Sequence, residues 1–188
     1  MKRVFTGCLF LIVASASQGP SLAADAVDGA VASCWGCHGA GGPPKDPTIP
    51  IIQGQQAGYL EKQLHDFRSG ERDDQIMSSM AESIRPQDVA RASAMIAAMP
   101  WPLRGGDAAA SMPDSLGACQ SCHGVDLTGG PGPEGVAPRL AGQFAQYLEA
   151  QMGVFARGER PKAKTMTLMM KSLDAAERGK IAKYLAGL

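Results

Sequence analysis

Residues 33–42 read SCWGCHGAGG, and residues 118–127 read ACQSCHGVDL. In both, two cysteines stand three apart with a histidine directly behind the second: Cys34, Cys37 and His38, then Cys119, Cys122 and His123. Whatever chemistry the first triplet performs, the second is equipped to perform as well.

The repetition extends beyond these triplets. Residues 54–72 read GQQAGYLEKQLHDFRSGER and residues 142–160 read GQFAQYLEAQMGVFARGER. At a constant spacing of 88, Gly54, Gln55, Tyr59, Leu60, Glu61, Gln63, Phe67, Gly70, Glu71 and Arg72 recur, and Pro50 matches Pro138. Such self-similarity marks an internal duplication. In each copy the apolar residues fall on one helical face: Leu60, Leu64 and Phe67, then Leu148, Met152 and Phe155. Gly70 and Gly158 are placed to end those helices. A last helix is expected over about Pro86–Met99 and Asp174–Ala186. Pro86 suits a first turn, and Asp174 followed by Glu177 resembles a capping box. No sustained alternation of branched residues signals strands, so the expected fold class is all-α. The stretch 100–115, PWPLRGGDAAASMPDS, reads as the connection between halves.

The chain has 188 residues, 18 basic and 18 acidic side chains, and 5% aromatics. Halves of about 80 residues are marginal for a side-chain core, so something besides side chains should fill each. No basic stripe is present, which argues against nucleic acid as a partner. Lys2 and Arg3, an apolar run over Val4–Ala14, and the small residues Ser21, Ala23 and Ala24 form the pattern of an export signal over residues 1–24, cleaved near Ala24. The run is too short to span a bilayer. Cleavage would leave 16 basic residues against 18 acidic, a net charge of −2, and would remove Cys8. The four remaining cysteines all belong to the two triplets.

Cys-x-x-Cys-His is the attachment pattern of c-type haem. Two thiols three apart reach the two vinyl groups on one porphyrin edge, and the adjacent imidazole ligates the iron beneath the ring. Two haem c groups are therefore expected, bound by Cys34, Cys37, Cys119 and Cys122, with His38 and His123 on the irons. Their macrocycles would supply the missing core. Two disulfides, the ordinary fate of exported thiols, leave the histidines unexplained. A four-cysteine zinc site leaves both histidines and the duplicated helices unexplained. A thioredoxin-like pair lacks its βαβ context.

The opposite axial position decides between electron transfer and catalysis. His65, the one remaining histidine, pairs with Gly153 in the repeat and sits on the polar side of its helix, so a surface position is expected. Methionine is the alternative. MSSMAESI (77–84) and MTLMMKSL (166–173) pair Met77 with Met166 and Met80 with Met169 at a spacing of 89. Each half thus offers Met-x-x-Met in what reads as a loop, and spacing alone leaves both choices open. Met95, Met99, Met112, Met152 and Met170 read as packing or surface residues.

This combination resembles the dihaem cytochromes c4, two class I cytochrome c domains in tandem, each wrapped around one covalently bound haem. The resemblance rests on CWGCHG and CQSCHG, on PIIQGQQAGYLEKQL with PRLAGQFAQYLEAQM, on FRSGER with FARGER, and on the methionine segments. It covers nearly all of the chain after the export signal. It implies domains over 25–102 and, with the linker, 103–188. It implies His/Met ligation of both irons, through Met77 and Met166, and hydrogen bonds from His38 and His123 to the carbonyls of Pro50 and Pro138. It also implies a periplasmic electron carrier rather than an enzyme. Expected partners are redox proteins such as a quinol-oxidising complex and a terminal oxidase or dehydrogenase, with peripheral membrane association allowed. The rival readings are the electron-transfer subunit of a larger dehydrogenase, such as a flavoprotein, and a haem peroxidase or sulfur-compound oxidoreductase. Two departures bear on how the halves meet: Tyr184 stands where the first half has Met95, and the first helix of the second half looks short.

Overall fold

The computed structural model describes residues 22–102 and 111–188, with the backbone alone for 22–27. The expected export signal up to residue 21 and the middle of the expected linker lie outside the described residues.

Helix α1 (Leu22–His38) carries the first triplet at its C-terminal end. Helix α2 (Ala57–Ser69) buries Leu60 and Phe67 and closes on Gly70 in the left-handed conformation. Then come α3 (Gln75–Ser83), a 3-10 turn over Pro86–Asp88, and α4 (Val89–Ala97). The second half repeats the order with α5 (Leu116–His123), α6 (Ala145–Arg157), α7 (Lys164–Lys171) and α8 (Ala175–Ala186). Gly158 closes α6 as Gly70 closes α2. The second triplet's helix has 8 residues against 17 in α1, so the expected shortening is present.

Two expectations need correction. The methionine segments are helices, not loops. Met77, Ala81 and Ile84, like Met166, Met170 and Leu173, fall at i, i+4 and i+7, and that apolar period is met by winding. Among the described residues there is also one small antiparallel hairpin where the sequence shows no strand signal, β1 (Gly130–Gly132) and β2 (Gly135–Ala137), with Gly130 opposite Ala137 and Gly132 opposite Gly135, while the fold class stays all-α as expected. Its strands are too short, and too rich in glycine, to show alternation. The hairpin sits in the segment between His123 and Pro138, a span of 15 against 12 between His38 and Pro50, so three extra residues accommodate it. The capping box at α8 is half made. Asp174 accepts from the Glu177 amide at 2.8 Å, but the Glu177 carboxylate takes the Ser115 hydroxyl at 2.7 Å instead of reaching back.

The halves meet through a pseudo-two-fold exchange. The Gln55 side chain donates to Arg139 O at 3.0 Å and accepts from Arg139 N at 2.7 Å. The Gln143 side chain donates to Ile51 O at 2.9 Å and accepts from Ile51 N at 3.0 Å. Gln55 and Gln143 are repeat partners, as are Ile51 and Arg139, so the contact is isologous in the sense of a symmetric dimer. Each glutamine serves a peptide group of the other half as a neighbouring strand would. Beside them Arg72 donates to Gln63 Oε1 (2.9 Å), Tyr147 Oη (3.1 Å) and Gln151 Oε1 (2.9 Å), and Arg160 donates to Gln151 Oε1 (3.1 Å) and Gln63 Oε1. The two guanidiniums stack on Phe67 and Phe155, 4.4 and 4.3 Å from the ring centres. Both arginines are buried, and stacking with several neutral acceptors compensates the lost hydration.

Trp101 fills the seam. A Cβ on Gly54 would come within 2.8 Å of the Trp101 backbone nitrogen, and one on Gly142 within 2.9 Å of its indole nitrogen. With φ at 67° and 77°, both positions require glycine for conformation as well as for space.

Candidate haem sites

His38 is the last residue of α1 and His123 the last of α5, 7% and 5% exposed. In each the ring Nδ1 lies 2.8 Å from a proline carbonyl, Pro50 for His38 and Pro138 for His123. A carbonyl only accepts, so the proton resides on Nδ1 and the lone pair on Nε2 is directed away from that bond. Burial pushes both imidazoles below their ordinary pKa, against the opposing pull of the proline carbonyls. Each ring is thereby held neutral and oriented, with a free lone pair at the one nitrogen a metal can take.

The four triplet thiols are free, with Cys34, Cys119 and Cys122 half-buried and Cys37 exposed. Burial pushes the Cys34 and Cys119 thiols up. That is the environment of thiols set against an apolar surface, opposite to that of activated redox thiolates. Among the described residues no three His, Cys, Asp or Glu side chains gather in a way that could hold a metal ion. The zinc reading therefore has no site there. The donor set at each triplet is two thiols on one helical turn and one imidazole with a free Nε2, and it fits haem c. Cys34 packs with Val31, Leu60, Ala92 and Ile96, and Cys119 packs in the larger cluster that includes Leu148, Met152 and Ile181.

The loop behind each histidine is fixed by different means. In the first half the Gln53 side chain, 2% exposed, donates to Gly39 O (2.6 Å) and Gly42 O (3.0 Å). In the second, Leu127 adopts φ 60° and its carbonyl accepts from Leu140 N (2.8 Å) and Ala141 N (3.0 Å). A leucine in the left-handed region is strained, and its burial to 2% holds it there. Neither Gln53 nor Leu127 stands out in the sequence, because their repeat positions do not match.

The methionines are placed as the repeat requires: Met77 and Met80 on α3, Met166 and Met169 on α7, all four half-buried. Met166 and Met169 pack against the cluster that also receives Cys119. Met77 and Met80 are not among the side chains packed around Cys34. His65 is exposed, as expected. Met170 and Met152 are buried in the core and Met112 is at the surface.

The model of the cytochrome c family matches residues 112–188. Over 179 residues the chain is 31% identical to cytochrome c4 of Pseudomonas aeruginosa, covering 84% of each protein. The chain belongs to the cytochrome c4 family. It is likewise 31% identical over 176 residues to the thiosulfate dehydrogenase electron acceptor of Stutzerimonas stutzeri, covering 85% of this chain and 80% of that protein. The solved cytochrome c4 of Acidithiobacillus ferrooxidans superposes with a TM-score of 0.72 at 28% identity, over 84% of this chain and 99% of that one. As in other cytochromes c4, the fold is the predominantly helical class I cytochrome c fold in two copies, and the cofactor is haem c, for which the two triplets provide twice.

Proposed function

We propose that this protein is an exported, periplasmic electron carrier in which each half, residues 25–102 and 103–188, holds one haem c between a histidine and a methionine. Its cytochrome c4 relatives carry electrons and do not themselves perform catalysis. Bound here, haem supplies one-electron ferrous–ferric chemistry. The protein's own residues do the rest. Cys34 with Cys37, and Cys119 with Cys122, tether the ring. His38 and His123, aligned by Pro50 and Pro138, present Nε2 to the iron. Met77 and Met166 would supply the other ligand to the iron. Thioether ligation would favour the reduced state and raise the potential.

The observation that carries this reading is the pair of imidazole–proline bonds of equal length, each accompanied by a methionine helix at an equivalent place. A redox titration of the holoprotein, followed in the visible and near-infrared, tests it. Two haems should titrate, and the oxidised form should show the sulfur-to-iron charge-transfer band. Absence of the band refutes methionine ligation. Met77→Ala and Met166→Ala should each remove the contribution of one haem, whereas Met80→Ala and Met169→Ala should leave it.

For partners, we favour a dehydrogenase as donor. Two relatives are electron acceptors of thiosulfate dehydrogenase, the second, from Thiomonas intermedia, 32% identical over 176 residues. A quinol-oxidising complex as donor and a terminal oxidase as acceptor make the second reading. Stopped-flow mixing with a reduced thiosulfate dehydrogenase separates them: rapid reduction of both haems supports the first, and no reduction by that enzyme supports the second.

A further inference from the structure

The two methionine helices end in the same place but are held by different residues. In α3 the last turn exposes the carbonyls of Ala81 and Ile84, and both accept from Arg68 Nη2, an arginine of the preceding helix α2. In α7 the repeat-equivalent carbonyls are those of Met170 and Leu173. They accept from Arg178 Nη1 at 3.1 and 2.5 Å, and Arg178 belongs to the following helix α8. Arg68 corresponds in the repeat to Ala156, and Arg178 to Val89. Neither arginine recurs at its repeat position, yet both reach the same pair of carbonyls.

That coincidence has a physical reason. The carbonyls at a helix C-terminus lack partners within the helix, and the helix dipole places negative potential there. A guanidinium answers both at once, with charge-assisted hydrogen bonds roughly twice as strong as neutral ones. In the first half the arrangement even tolerates a defect: Arg68 Nη1 is buried without a hydrogen-bonding partner among the described residues. A buried unpaired donor is unfavourable, so this side chain is retained for what its other nitrogen does.

We infer that Arg68 and Arg178 are positioning residues for the axial methionines, each fixing the methionine-bearing helix of its own half and so setting how firmly that half's thioether stays on its iron. The inference rests on the His/Met reading above. Anchoring runs backward in the chain in the first half and forward in the second, so the two should be separable by mutation.

The test uses the oxidised dihaem holoprotein titrated with imidazole, which competes with the thioether, with the near-infrared band as readout. In Arg68→Leu the imidazole concentration that displaces the thioether should fall about tenfold or more at one haem, the equivalent of one charge-assisted hydrogen bond, and stay at the wild-type value at the other. Arg178→Leu should do the same to the opposite haem, and the double variant should shift both. Arg68→Gln and Arg178→Gln keep a donor and lose the charge. They should shift the same haem by less, and they carry the test if a leucine variant fails to mature. Wild-type displacement at both haems in the glutamine variants overturns the inference while leaving methionine ligation standing. So does an equal shift at both haems in each single variant, the mark of general loosening. A wild-type protein with no band overturns the ligation reading itself.

Discussion

The two halves bury nearly equal numbers of apolar side chains but connect them differently. Among the described residues the first half buries nine and the second ten, yet nine of those ten form one linked cluster in the second half and only four do so in the first. Ile51, Phe67, Ala81, Ile84 and Val89 are buried outside the first half's cluster. The reason lies in two substitutions between the copies. Met170, a buried member of the second cluster, corresponds to Ala81, and Met152 corresponds to the half-buried Leu64. Flexible methionines bridge gaps that an alanine leaves open. The first half would therefore depend more than the second on bound haem to join its walls.

The largest test of that contrast removes one haem at a time. Cys34→Ser with Cys37→Ser, and Cys119→Ser with Cys122→Ser, should each yield a protein whose mass shows a single covalent haem. Under limited proteolysis the haem-free first half should be cut roughly tenfold faster than the haem-free second half, since cleavage tracks the population of the open state. Equal rates would break the comparison.

The interface predicts the opposite outcome, equality. Gln55→Ala strands the N–H and C=O of Arg139, and Gln143→Ala strands those of Ile51. Each variant should lose about 2–4 kcal/mol, the cost of leaving two backbone groups unpaired, in thermal unfolding of the holoprotein. Clearly unequal losses would show that one half dominates the contact.

The smallest effect concerns the N-terminal ends of the methionine helices. Asp74 caps α3 through the Met77 amide at 2.9 Å, whereas the equivalent Ala163 caps nothing and α7 is served by Glu134 of the hairpin, which accepts from Thr165 N at 2.9 Å. Asp74→Ala should cost about 1 kcal/mol and Glu134→Ala about half as much, being an exposed and non-local contact. A larger loss for Glu134→Ala would make the hairpin a structural prop of the second site.

Much of this was readable from the residues. The duplicated triplets pointed to haem c, the spacing of 88 placed the helices, and the resemblance to the cytochromes c4 implied that the carbonyls of Pro50 and Pro138 receive the imidazoles. These features were legible because duplication prints them twice. The helical state of the methionine segments escaped although both copies share it, and so did what the copies do not share: the hairpin, Gln53 and Leu127 behind the histidines, and the two arginines. Gln55 and Gln143 are the instructive exception. They recur and were visible, but their role lies across the seam between halves, and periodicity within one half does not report what a side chain meets in the other.

That seam also records a history. Contacts in which residue 55 meets 139 while residue 143 meets 51 arise most simply from a progenitor half as long that paired with a copy of itself. Once fused, the halves no longer had to remain alike, because a change in one was no longer repeated in its mate. The unlike arginines, loops and caps are what that freedom allowed, and they permit the two haems of one molecule to be adjusted separately while the axis that joins them stays fixed.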